Sequence, residues 1–133
     1  ANCTFDPPVS TSNLNSGTTK DGHPWIGAEN PKLIITEYTD YQCFQCNKFH
    51  YYLRQIVAKK PNKIRLVHRH FPMDHRVNPL IKKPYHVRAG PLALMAIYAA
   101  QKGRFWPMND YLFLIARGEA AIRFEDVAQK VGL

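Results

Sequence analysis

The sequence predicts an α/β domain in which two strands joined through a helix are followed by a set of further helices. Three observations carry this: a β-branched apolar run at residues 33–39, a switch to helical period just after Asp40-Tyr41-Gln42, and a second β-rich run at residues 64–71. A strand, a helix and a strand in that order form a crossover that pairs the strands in parallel and is normally right-handed. With 133 residues the chain fits one compact domain and can bury a sizeable core. Its 45% hydrophobic and 21% charged residues exclude collagenous, fully disordered and disulfide-dense classes.

Each element has its own signal. Residues 1–30 are rich in Ser, Thr, Asn, Gly and Pro without an apolar period, and read as a flexible leader or tether. From Pro31 the composition changes, and Leu33-Ile34-Ile35-Thr36-Glu37-Tyr38-Thr39 reads as a central strand covered on both faces. The next helix carries Cys46, Phe49, Leu53, Ile56 and Val57 on one stripe and stops at Lys59-Lys60-Pro61. After the second strand, Pro72, Pro79, Pro84 and Pro91 mark an irregular connector. Three more stripes predict three helices: Leu92, Met95, Ala96 and Ala99; then Phe105, Met108, Leu112 and Ile115; then Phe124, Val127, Ala128 and Val131. Phe105, Trp106 and Tyr111 read as core, with a groove for an unfolded or cysteine-bearing partner as the other reading. Two strands are too few for a stable sheet, so others are expected from the rest of a longer domain, a second copy or another chain. The alternative is that the leader adds a strand around Trp25-Ile26.

The net charge of +8 arises after residue 30, since Lys20 is the only basic residue before it. These charges are scattered and no nucleic-acid motif accompanies them, so they read as a solvated face, with Lys82, Lys83 and Arg88 on a surface loop. No run of 18 apolar residues occurs, and the first residues lack the basic start and apolar stretch of a secretory signal; any such signal is expected to have been removed already.

The chemistry centres on cysteine. Of three cysteines, Cys3 stands in the leader as a free thiol, an intermolecular partner or a lipidation point, while Cys43 and Cys46 form a C-x-x-C that opens a helix. At a helix start the backbone N–H groups are unpaired and the macrodipole is positive, so a thiolate there is stabilised. Cys43 is therefore the candidate attacking thiol and Cys46, one turn inward, the resolving one. Metal ligation is a competing reading, with His50, His68, His70 and His75 as further ligands, although His68 and His70 also fit a structural pair on one strand face. Covalent haem is excluded because Asn47 follows the second cysteine where a histidine is required. An inert cysteine pair would need no special position. Glu37, six residues before Cys43, points either to solvent or into the core under the helix start. If buried beside a dithiol, its carboxyl is expected to have a raised pKa and to pass a proton to or from Cys46.

The segment from Ile35-Thr36-Glu37 through Cys43-Phe44-Gln45-Cys46 to Phe49 resembles the active site of DsbA-like thioredoxin-fold oxidoreductases. Val67-His68-Arg69-His70-Phe71-Pro72-Met73 is similar to that family's next strand and its exit, and residues 99–113 to the helix–turn–helix of its inserted helical subdomain. The resemblance implies a thioredoxin-like fold over residues 31–133 with an inserted helical subdomain, ending before the C-terminal strands, one of which begins after a cis-proline facing the dithiol. It implies a thiol–disulfide oxidoreductase with Cys43 attacking, Cys46 resolving and Glu37 assisting proton transfer, and no dissociable cofactor. Cysteine-containing protein substrates and a redox-recycling protein, membrane-bound or not, are the implied partners. The implied location is periplasmic or otherwise extracytoplasmic, with residues 1–30 available as a membrane tether. Phe44-Gln45 lacks the proline and histidine of well-known members, which leaves the direction of electron flow open. The alternative function is a thioredoxin-like metal-binding or metal-delivery module.

Overall fold

The computed structural model describes residues 13–116 and 122–133. Its elements are β1 (Ser16–Thr18), β2 (Pro24–Gly27), β3 (Leu33–Thr39), α1 (Phe44–Lys59), β4 (Ile64–His70), α2 (Ala89–Gln101), α3 (Phe105–Ile115) and α4 (Phe124–Lys130). The elements from β3 onward stand where the sequence places them.

The sheet has four strands in the order β1-β2-β4-β3. β3 and β4 run parallel: Leu33 N–H donates to the Lys63 carbonyl at their start, and Phe71 N–H to the Thr39 carbonyl at their end. β2 pairs antiparallel with both β1 and β4, placing Ile26 opposite Leu66 and Trp25 opposite Val67. This corrects one expectation. The described part of the leader is not a tether through residues 16–27 but supplies two strands, the alternative foreseen around Trp25-Ile26. β3 and β4 keep the expected parallel pairing, and with the antiparallel β2 the sheet is mixed. Among the described residues β3 stands last in that order: Ile34 and Tyr38 on one face are more than half exposed, whereas Glu37 and Thr39 on the other are buried.

The chain divides into two compact units. The first takes Ala1–Tyr38 and Gln45–Arg69, the second Thr39–Phe44 and His70–Leu133.

The core of the first unit is built from Ile26, Ala28, Leu53, Val57, Leu66 and Val67. Gly27 fits there because its φ is +119°, and because a Cβ would strike the Ile64 carbonyl oxygen and Val57 Cγ1. Arg65 lies over the Trp25 ring at 3.8 Å and donates to the carbonyls of Ala28 and Glu29, fastening the turn after β2. The buried face of α1 keeps Leu53 and Val57 of the predicted stripe but not Phe49, which is 59% exposed, and it adds His50 and Arg54, both fully buried.

In the second unit α2 and α3 pack on each other, with Leu92, Ala96, Ala99, Phe105, Met108, Leu112 and Phe113 inside. Phe105 and Trp106 meet edge to face at 4.9 Å and are buried, which is the core reading of that stripe. The α2 start is capped from outside its own sequence. Asp74, fully buried, accepts from Gly90 N–H at 3.1 Å and from Arg76, whose hydrogen bonds hold its carboxyl well below the usual carboxylate range.

Candidate active site

Cys43 directly precedes α1 and Cys46 lies in its first turn, the arrangement the sequence predicts. Both thiols are half-buried. The apolar strand β3 leads to a tight turn, in which Cys43 N–H donates to the Asp40 carbonyl at 3.0 Å. Asp40, buried, fixes that turn with its carboxylate: Oδ1 accepts from Gln42 N–H, and Oδ2 from Met73 N–H and from the ring of His86. Gln42 Oε1 in turn accepts from Arg88 N–H at 2.8 Å. The irregular connector therefore has a task, which is to brace the loop that carries Cys43. The sequence analysis did not single out Asp40, Gln42 or His86; an acid three residues before the first cysteine was the available signal.

Glu37 is buried, as one of its two sequence readings required, and it has company there. Its Oε1 lies 2.9 Å from His50 Nδ1 on α1 and 3.5 Å from His68 Nδ1 on β4, and both histidines are fully buried. The expected raised pKa is corrected. Burial pushes the carboxyl up, but the charge and hydrogen bond of His50, joined by those of His68, outweigh it and bring Glu37 to about 2. Burial lowers His68 below the ordinary histidine value, against the pull of Glu37. Glu37 is thus a carboxylate at neutral pH. Nothing in a single strand's alternation shows that a histidine on the neighbouring strand and another on the helix will converge on it.

The remaining histidines take other places. His70 packs edge-on to Phe105 and near Tyr41, and His75 lies 3.8 Å from Asp74. His68 and His70 do not act as one pair: the first is buried against Glu37, and the second is only partly buried. Among the described residues no group of three or more His, Cys, Asp or Glu is gathered so as to hold a metal. Cys3 lies outside the described residues.

A β–α–β core with a C-x-x-C at the start of its helix, a buried acid on the preceding strand and an added helical unit defines a thioredoxin-like oxidoreductase fold. A family model described as Thioredoxin matches residues 19–130, and the chain belongs to that family. Two solved structures share the fold. One is a thioredoxin-like oxidoreductase from Silicibacter pomeroyi DSS-3, with a TM-score of 0.62 and 22% identity over 84% of this chain and 57% of that one. The other is a periplasmic thioredoxin-like protein from Salmonella enterica serovar Typhimurium, with a TM-score of 0.60 and 23% identity over 83% of this chain and 57% of that one. By sequence, 87 residues are 30% identical to part of the Na(+)/H(+) antiporter NhaA 1 of Mycolicibacterium gilvum (strain PYR-GCK), covering 65% of this chain but 13% of the antiporter. The chain thus spans little more than half the length of the solved structures and a small fraction of the antiporter.

Proposed function

We propose that this protein is a DsbA-like thiol–disulfide oxidoreductase that exchanges disulfides with protein thiols in an extracytoplasmic compartment. The observation that carries the reading is Cys43 at the N-terminus of α1 with Cys46 one turn inside, directly after a strand bearing a buried acid. The cysteine at the first position attacks a partner's disulfide or is attacked through its own. Cys46 then resolves the mixed disulfide, and Glu37 serves the proton transfer this entails. The partners are cysteine-bearing proteins and a second redox protein that restores the active state. The extracytoplasmic location draws on the description of the Salmonella protein as periplasmic. Among the described residues no helix is long and apolar enough to cross a membrane.

The test is trapping. Cys46→Ser incubated with a disulfide-bearing protein accumulates a mixed disulfide through Cys43, seen by intact mass, whereas Cys43→Ser does not. Equal adducts on both variants, or none on either, would refute the assignment. Equilibration of the dithiol with glutathione then gives the direction of electron flow, on a scale running from roughly −270 mV for thioredoxin to roughly −120 mV for DsbA.

A further inference from the structure

One ionisable side chain from each of β3, α1 and β4 meets in the core of the first unit: Glu37, His50 and His68. An ionised carboxylate only accepts hydrogen bonds, so the Nδ1 atoms of both histidines are the donors to Oε1. That fixes the His50 tautomer and leaves Nε2 as the nitrogen able to take up a proton. His50 stands four residues after Cys46 on α1, so the two side chains share a helix face one turn apart. The imidazole is hydrogen-bonded to the carboxylate at 2.9 Å and stands one helical turn from the thiol, the three residue types that activate nucleophiles in other enzymes.

We infer that His50, oriented by Glu37, is the proton acceptor and donor for Cys46, and that His68 is a positioning residue that steadies the Glu37 carboxylate. This rests on the reading of Cys46 as the resolving thiol. In the mixed disulfide, Cys43 Sγ is bonded to a partner sulfur. Cys46 gives its proton to His50 Nε2 and its sulfur attacks Cys43 Sγ. The bond from Cys43 to the partner breaks, and the electron pair leaves on the partner sulfur as a thiolate, which takes a proton from water. Cys43 and Cys46 end as a disulfide and the partner is reduced. In the opposite direction, a partner thiolate attacks Cys43, Cys46 departs with the electron pair, and His50 returns the proton to it. Glu37 alone is poorly matched to this task, since a carboxyl held at about 2 stays ionised and takes almost no proton from a thiol, whereas an imidazole is a side chain suited to passing one. The other charges to be counted are His23, whose charge disfavours protonation of His68, its neighbour Asp21, and Arg54, buried one turn beyond His50 on α1.

The experiment uses the full chain with oxidised glutathione, following formation of the Cys43 mixed disulfide and its resolution separately by rapid quench from pH 5 to 9. His50→Gln is expected to move the rising limb of the resolution rate up by about one pH unit, roughly a tenfold loss at neutral pH, and to change the first step less than twofold. An unchanged resolution profile overturns the inference while leaving the thiol assignment standing. Absence of any Cys43 adduct in the unaltered protein overturns the assignment itself and the inference with it. Ring ¹⁵N spectra of the unaltered protein supply a readout independent of how the variant folds. His50 should carry its proton on Nδ1 and titrate differently in the dithiol and disulfide forms; identical titrations would overturn the relay.

Discussion

Replacing Glu37 by Gln keeps the shape of the side chain and removes the charge that two buried histidines face. From sequence alone, deleting a buried ionisable group is expected to leave the fold intact or stabilise it. The structure reverses that sign. Folding lowers the Glu37 carboxyl from 4.5 to about 2, so the folded state binds its proton less readily than the unfolded chain. A depressed acid contributes stability that is fully present above its unfolded value and is lost as pH falls through its folded value. At about 1.4 kcal/mol per unit, the contribution at neutral pH is about 3 kcal/mol, within the range for breaking a buried ion pair. Urea unfolding of the unaltered protein and of Glu37→Gln at pH 7, 5 and 3 measures it. The variant should be less stable by about 3 kcal/mol at pH 5, and the gap should narrow by about 2 kcal/mol at pH 3, with unchanged denaturant slopes. A gap under about 0.5 kcal/mol, or one that stays constant between pH 5 and 3, would refute the reasoning.

His68 adds a second, milder acid sensitivity. Its folded pKa is depressed, so the neutral ring's stabilisation is complete above about 6.5 and declines below it; His68→Gln should flatten the stability profile between pH 7 and 5, read by the same titration. Gly27→Ala should cost about 2–4 kcal/mol in thermal or urea unfolding, because both the positive φ and the Ile64 carbonyl oppose a Cβ; a loss below about 0.5 kcal/mol would mean the strand relaxes there. Asp40→Ala leaves the N–H groups of Gln42 and Met73 and the His86 ring without their acceptor and should cost about 2–4 kcal/mol. It should also slow Cys43 adduct formation severalfold, and an unchanged adduct rate would show that the loop holds its form without the acid.

The sequence was most informative where one physical signal dominated. Residues 64–71 and the three later helices are marked by side-chain period alone, and the C-x-x-C at a strand-to-helix junction needs no partner elsewhere to be recognised. It was least informative where a residue's place depends on another element. Ser16–Thr18 and Pro24–Gly27 are too short and too rich in turn formers to show a period, and they become strands because β4 offers Pro24–Gly27 a pairing edge and Pro24–Gly27 offers one to Ser16–Thr18. The stripe on α1 misled because Phe49 points outward while His50 and Arg54, polar by type, turn inward. His50 does so because β3 presents Glu37 beneath the helix, and a buried carboxylate demands donors. The chemical identity of the thiol pair was legible in the chain; the electrostatic machinery around Glu37 was not.

The strand order has a consequence for the birth of the molecule. β4 lies between β2 and β3, yet both precede it in the chain. As the polypeptide emerges during synthesis, β1 and β2 can close their hairpin early, but the other edge of β2 and the whole of β3 lack their shared partner strand until His70 has been added. For that interval the run Leu-Ile-Ile-Thr-Glu-Tyr-Thr waits in the open, apolar and able to pair with any passing edge. Assembly therefore hinges on the late arrival of one seven-residue strand, and mutations that delay or weaken β4 should reveal themselves first as lost yield of soluble protein, before any loss of activity in the molecules that fold.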